Sequence, residues 1–125
     1  MNIPEDLLYT NEHEWIKCED GYAYIGITDY AQSELGDIVF IEFPNTGDVF
    51  SQNDIFGTIE AVKTLADLYI PISGEISEIN DSLDATPENI NSDPYGEGWI
   101  VKIRISNKEE IESLLNAEKY TKLIS

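Results

Sequence analysis

Few side chains in this chain have the makings of chemistry, and one of them stands apart. The seven basic residues are Lys17, Lys63, Lys102, Arg104, Lys108, Lys119 and Lys122. Between Cys18 and Val101 Lys63 is the only cation, in a segment that holds seventeen of the twenty-five Asp and Glu residues. It lies within "GTIEAVKTLADLYIPISG", Gly57 to Gly74. Either it is an ordinary solvated lysine, or its amine is wanted for chemistry. The other reactive types offer less. His13 is the only histidine and Cys18 the only cysteine, so neither a clustered metal site nor an intrachain disulfide is expected. There is no Ser/His/Asp constellation, phosphate-binding glycine loop or pair of carboxylates at catalytic spacing. This inventory predicts a protein without turnover of its own.

Lys63 must be positioned by strands. Tyr22 to Ile27, Ile38 to Phe43 and Ile100 to Ile105 are rich in β-branched and aromatic residues and bounded by Gly, Pro or Asn. Ile55 to Val62 and Leu68 to Ile72 add two more, with Ile55, Ile59 and Ala61 expected on one face by alternation. Many short strands at close spacing suggest a barrel or sandwich. Val62, Lys63, Thr64 and Leu65 then form a tight connection with the lysine at its tip. That tip lacks the Asn-Gly or Asp-Gly pair that tight hairpins favour, and it leaves Val62 and Leu65 in water. Exposed apolar residues beside a reachable amine are what a modifying enzyme or a returning arm could grip.

Helices are expected to be minor. Thr28 or Asp29 can cap "YAQSEL" before Gly36 stops it, and Thr86-Pro87 reads as a cap followed by a first-turn proline. Asn107 with Glu110 reads as a third start, placing Ile111, Leu114 and Leu115 on a face packed against the barrel. Gly36-Asp37-Ile38-Val39-Phe40-Ile41 is echoed by Gly74-Glu75-Ile76-Ser77-Glu78-Ile79 at an offset of 38 residues. Two similar halves would suit a pseudo-symmetric barrel, although glycine, an acid and a β-branched residue is also a common way to enter a strand.

Size and charge bound the partners. With 125 residues the chain supports one domain, 1–125, with a core about 20–105 and a carboxyl-terminal helical segment about 107–123. The net charge of −18 repels phosphate backbones, so neither nucleic acid nor an anionic membrane is an expected partner. It favours encounters with basic patches on other proteins or with cationic ligands. The amino terminus has no basic region followed by an apolar run, and no apolar run approaches the roughly 20 residues that span a bilayer. A cytoplasmic location is expected, or the mitochondrial matrix if an organellar leader has been removed.

Five segments together carry a resemblance. "EHEW" (Glu12 to Trp15), "GITDYAQSELGDIVFIEFP" (Gly26 to Pro44), "EAVKTLADLYIPISGEI" (Glu60 to Ile76), "INSDPYGEGWIVKI" (Ile90 to Ile103) and "LLNAEKY" (Leu114 to Tyr120) follow the order and spacing of the glycine cleavage system H proteins. The chain resembles that family over nearly its whole length. The resemblance implies a mainly β, pseudo-symmetric barrel-sandwich hybrid of the lipoyl/biotinyl type, with short helices and a carboxyl-terminal helix. It implies a carrier subunit, not an enzyme. Such a carrier takes an aminomethyl group from a pyridoxal-phosphate glycine decarboxylase (P protein) to a tetrahydrofolate-dependent aminomethyltransferase (T protein). Dihydrolipoyl dehydrogenase (L protein) then reoxidises it, and a monomer is expected.

The family's attachment motif usually reads Glu-Ser-Val-Lys-Ala, and Glu60-Ala61-Val62-Lys63-Thr64 stands in its place. By resemblance Lys63 carries covalent lipoic acid, added by a lipoate-attaching enzyme that Glu60 helps to recruit. The loaded arm of the family folds into a cleft, which carries over to Glu14 and Asp67, with Glu12 as a third acid. Trp15 and Trp99 read as core or cleft-wall packing. Three rivals remain: a lipoyl relay that donates to 2-oxoacid dehydrogenase subunits, a biotin carrier of the related Glu-Ala-Met-Lys-Met type, and an unmodified interaction module.

Overall fold

The computed structural model describes residues 1–125. In chain order the elements are β1 (Leu8–Tyr9), β2 (Glu14–Glu19), β3 (Tyr22–Ile27), α1 (Asp29–Leu35), β4 (Ile38–Glu42), β5 (Val49–Phe50), β6 (Ile55–Ala61), β7 (Leu65–Tyr69), β8 (Gly74–Ile79), α2 (Asn89–Ser92), β9 (Val101–Ile105) and α3 (Ala117–Ile124). Short 3-10 turns cover Asp81–Asp84 and Lys108–Ser113. Six strands form one antiparallel sheet in the order β1-β2-β3-β9-β8-β5, and β4-β6-β7 form a second. The mainly β class and the minor helices match the expectation, and the two sheets enclose the core. Ile16, Ile25, Ile27, Ile76 and Ile103 of the larger sheet join Ile38, Ile41, Phe56, Ile59 and Leu68 of the smaller one in a single buried cluster.

The echo at offset 38 has a structural counterpart. β4 and β8 each carry a register shift at the same place in the echo, between Ile38 and Phe40 and between Ile76 and Glu78. Val39 and Ser77 are the extra residues, and Ile38 and Ile76 are both buried. One such strand belongs to each sheet, and a bulge adds twist where a sheet must wrap.

A third register shift, between Ile55 and Gly57 in β6, corrects the expected face. Ile59 and Ala61 do point inward, but the bulge changes the phase, so Phe56 is buried at 4% exposure and Ile55 stands out at 51%. The strand expected at Leu68 to Ile72 lies earlier, at Leu65–Tyr69, because pairing with β6 continues to the hairpin tip. Ile70 and Ile72 are fully buried beyond its end.

The helices show which caps won. Thr28 Oγ1 accepts from Ala31 N at 3.1 Å and Gly36 ends α1 at φ 81°, as the sequence predicts. Thr86 does not cap α2, for its hydroxyl donates to the Ser82 carbonyl and Glu88 occupies the cap position. Asn107 caps only a 3-10 turn, accepting from Glu109 N. Glu110 does not reach back to it. Its carboxylate accepts from Ser73 N at 2.6 Å and from Ser73 Oγ at 2.9 Å, clamping this segment to the barrel. The true carboxyl-terminal helix is α3, capped by Asn116. It packs outside the main core, where Tyr120 stacks on Tyr9 at 4.7 Å between ring centroids.

The backbones of β4 and β6 approach closely at Gly57, where a Cβ would lie 2.6 Å from the Glu42 carbonyl oxygen. Neither strand can move without breaking ladder bonds. Gly57→Ala is therefore expected to lower stability by about 1–3 kcal/mol, read as a drop in the urea midpoint at unchanged slope. A midpoint equal to that of the parent would show that β4 and β6 can part freely.

Candidate functional site

Lys63 occupies the tip of the β6–β7 hairpin. Glu60 pairs with Leu65, Ala61 N donates to Thr64 O at 2.8 Å, and Val62 and Lys63 form the loop. Neither loop residue has positive φ, so the turn lacks the left-handed geometry that matches strand twist. Support comes from outside the hairpin: Val62 N donates to Asp37 O at 3.0 Å, tying the tip to the α1–β4 turn. Lys63 is exposed, and Val62 and Leu65 beside it are 74% and 65% exposed.

The lysine stem lies across Gly36. A Cβ at that position would be 3.2 Å from Lys63 Cε and 3.7 Å from Nζ. The ammonium therefore sits near the carboxyl-terminal end of α1, whose last turn has no basic side chain of its own. The turn beneath is held by Asn91. Its Nδ2 donates to Gly36 O at 2.8 Å and Gln32 Oε1 at 3.0 Å, while its Oδ1 accepts from Ile38 N at 3.0 Å.

Next to this turn a cleft of about 270 Å³ opens between α1 and the β6–β7 hairpin. Ile27, Ala31, Leu35, Ile59, Ala66 and Leu68 make it apolar, and Tyr30 and His13 complete its wall. Two carboxylates line it, Glu12 and Glu34, and no cation does. His13 has φ 68°, and its Nδ1 lies 2.9 Å from the Tyr120 hydroxyl, which is 2.8 Å from Thr28 Oγ1. Burial pushes the imidazole below its ordinary range, while Glu12 and Glu34 pull the other way.

The predicted site residues separate into three groups. Lys63 and Glu12 border the same region, one beside Gly36 and the other in the cleft. Glu14 does not line the cleft. It is 2% exposed, its Oε1 accepts from Thr10 Oγ1 at 2.7 Å, and its Oε2 accepts from Tyr69 N at 3.3 Å. Burial raises its pKa to about 8 despite both hydrogen bonds, so near neutrality it is largely an uncharged carboxyl. Asp67 and Glu60 are exposed. Asp67 pairs with Thr58, and strand alternation turns it away from Ala66 and Leu68, which face the cleft. Trp15 is buried, donating from Nε1 to Pro94 O, and Trp99 packs edge-on against Tyr24. Sequence reasoning passed over Glu34 and noted His13 only as a lone histidine that builds no metal site. The available signal was the helical spacing of Tyr30, Ala31, Glu34 and Leu35, which puts all four on one side of α1.

The Glu14 shift has a sign. Its proton is held more tightly in the fold than at the ordinary value of 4.5, so its stabilising contribution is complete below that pH and is lost as pH rises toward about 8. Glu14→Gln, neutral at every pH, should remove that decline. The Tm of the variant relative to the parent is expected to climb by several degrees between pH 5 and pH 9. A constant difference across this range would mean that Glu14 titrates normally.

With this geometry in view, comparison with known proteins is direct. The family profile described as glycine cleavage H-protein matches residues 7–125. The chain is 50% identical over 125 residues to the glycine cleavage system H protein of Bacteroides fragilis, covering 100% of this chain and 99% of that one. To the protein of the same description from Bacteroides thetaiotaomicron it is 51% identical, with the same coverage. The crystal structure of a glycine cleavage system H protein from Mycobacterium marinum superposes with a TM-score of 0.88 at 37% identity, over 96% of this chain and 97% of that chain. The chain belongs to the glycine cleavage H-protein family.

Proposed function

We propose that Lys63 is the lipoylated residue of this carrier and that the cleft between α1 and the β6–β7 hairpin shelters its loaded arm. The observation that carries the reading is the exposed amine at a two-residue tip, beside an apolar cleft edged by carboxylates alone. The site fits the group: an apolar arm meets Leu35, Ile59, Ala66 and Leu68, and an ammonium at its end meets Glu12 and Glu34. When bound, the lipoyl group supplies the dithiolane redox and aminomethyl-accepting chemistry. The chain's residues do the rest. The hairpin tip presents Lys63 to partner active sites at high effective concentration, and the cleft carboxylates accept charge-assisted hydrogen bonds from the cargo's ammonium.

On this reading the partners are the glycine decarboxylase, the aminomethyltransferase, dihydrolipoyl dehydrogenase and a lipoate-attaching enzyme, with Glu60 contacting the last. Residues 1–125 act as one carrier domain and as a monomer in the cytoplasm, the compartment that the bacterial relatives suggest. No helix is long and apolar enough to cross a membrane. Family membership sets the biotin reading aside, in keeping with Val62 and Thr64 where biotin carriers have methionines.

Protein purified from its native cell should carry one lipoyl increment on the Lys63 peptide. Lys63→Arg should fold but take none, because guanidinium stays protonated. Reconstituted glycine oxidation should need the lipoylated form. If lipoyl transfer to an acyltransferase domain succeeds where glycine oxidation fails, the relay role replaces this one.

The shelter has its own test. A hydrogen bond to a charged group contributes on the order of 1.5–3 kcal/mol, or roughly tenfold to hundredfold in docked population. Glu12→Gln and Glu34→Gln should therefore shorten the lifetime of the aminomethyl adduct about tenfold. Equal decay in these variants, with loss at Glu14→Gln or Asp67→Asn instead, would move the ammonium site to those acids.

A further inference from the structure

Among the side chains that line the cleft His13 alone carries nitrogen, and its placement is over-determined. Its backbone sits in the left-handed region at φ 68°, with His13 N donating to Thr10 O at 3.1 Å and His13 O accepting from Thr28 N at 3.0 Å. The ring packs on Tyr30 of α1 at 4.9 Å between centroids and edge-on against Tyr120 of α3 at 5.8 Å. Nδ1 is turned to the Tyr120 hydroxyl, whereas Nε2 has no partner in the chain and is not buried. Nε2 is therefore the nitrogen left open to the cleft that the ring lines.

Which nitrogen carries the proton follows from the two hydroxyls behind the ring. Thr28 Oγ1 lies 2.8 Å from the Tyr120 hydroxyl and already accepts from Ala31 N at 3.1 Å. Thr28 and Tyr120 are both fully buried. If Thr28 donates to Tyr120 and Tyr120 donates to His13 Nδ1, every hydrogen has an acceptor and the imidazole proton is on Nε2. If Nδ1–H donates instead, one of the two hydroxyl hydrogens is left in dry surroundings with nothing to receive it. That loss lowers the population of the second arrangement by roughly tenfold or more. The imidazolium fails the same count, since its Nδ1–H must also donate, and burial lowers the ring's pKa in the same direction.

We propose that Thr28 and Tyr120 are positioning residues that hold the basic lone pair of His13 away from the cleft, so that the histidine walls in the cargo without acting on it as a base. The proposal rests on the carrier reading of Lys63 and the cleft. An amine one carbon from sulfur persists while it is protonated. Once a base takes that proton, the nitrogen lone pair forms a second bond to carbon and the carbon–sulfur bond breaks with its electrons on sulfur. Water then turns the released unit into formaldehyde and ammonia, and the sulfur takes up a proton as a thiol. Imidazole is a far better proton acceptor near neutrality than a carboxylate, so His13 is the side chain of the cleft whose lone pair matters most.

The tautomer is read first, on the isotope-labelled, unlipoylated full-length chain by proton–nitrogen NMR. Nε2 should be the protonated nitrogen, and a protonated Nδ1 in the parent overturns the proposal. The second measurement follows spontaneous decay of the aminomethyl adduct on the lipoylated chain, with no transferase present. Tyr120→Phe keeps the ring that stacks on Tyr9 and removes the donor to Nδ1. Decay should rise about tenfold, and the rise should appear as pH climbs through the titration of His13. Glu12 beside the ring and Glu34 and Tyr30 from α1 face it in parent and variant alike, so the difference between the two profiles belongs to His13. Adding His13→Asn, which tolerates positive φ, should return decay to within about twofold of the parent. Parent-like decay in Tyr120→Phe overturns the proposal, as does an acceleration that survives His13→Asn, which would mean a loosened wall. If Tyr120→Phe does not fold, the tautomer of the parent decides. Failure of the parent to take a lipoyl group on Lys63 overturns the carrier reading instead and leaves the tautomer result standing.

Discussion

The hydrogen bond from Val62 N to Asp37 O is the constraint on which this architecture turns. A two-residue hairpin without a left-handed residue does not match the twist of its strands and has little reason to hold one shape. Here the tip is fixed from outside by a turn that is itself fixed. Asn91, from α2, spends both ends of its amide on Gly36, Gln32 and Ile38, the residues through which α1 passes into β4. Gly36 then contributes by what it lacks, since its open side takes the lysine stem. A chain of contacts thus runs from α2 through a helix cap to the amine. Each bond contributes on the order of 1 kcal/mol, yet together they fix where the Lys63 amine sits.

A carrier's attachment point must be reachable and its cargo sheltered, which are opposing demands on one stretch of chain. On the reading proposed for Lys63 and the cleft, the two demands fall in different places. Lys63 projects from the tip with apolar neighbours in water, whereas the cleft behind it is closed by α1 and floored by Ile59 and Leu68. His13 joins that cleft to the carboxyl-terminal helix through the Tyr120 hydroxyl. The second cluster, built on Leu7, Tyr9, Trp15, Ala117 and Tyr120, therefore helps to hold a cleft wall as well as the chain's ends.

Much of the fold was legible because several strands are runs of β-branched and aromatic residues bounded by Gly, Pro or Asn. Tyr22–Ile27 and the start of β4 fall where β-branched runs and bounding turn residues put them. β2 escaped notice because Glu14, Trp15 and Ile16 are all buried while the next three residues are exposed, so no period of two survives. Ile55 was misplaced because a bulge shifts phase without any local mark in the sequence. The carboxyl-terminal start was misread because Glu110, a good capping partner for Asn107, has a better use 37 residues away on Ser73. The place of Lys63 at a hairpin tip was legible from the strand-forming runs on either side of it. Glu34 was not, since only the packing of α1 against the hairpin puts it in the cleft, and burial of Glu14 depends on contacts from Thr10 and Tyr69 that spacing does not reveal.

Register is what keeps the two faces of the small sheet distinct. Along β7 Leu65 and Asp67 point outward while Ala66 and Leu68 line the cleft, and along β6 Glu60 points outward beside an inward Ile59. A slip of one residue in either strand would exchange the sets, exposing the cleft floor and driving acids into it. The bulges at Val39 and Phe56 flank the paired stretch and place one surplus residue on each strand. A bulge resists slippage because sliding the strands would move the unpaired residue into the ladder. The glycine beside the second bulge, with the Glu42 carbonyl oxygen 2.6 Å from where its Cβ would be, leaves no room for a shifted side chain there. The irregularities that hid the pattern in the sequence are thus the features that pin it in the fold.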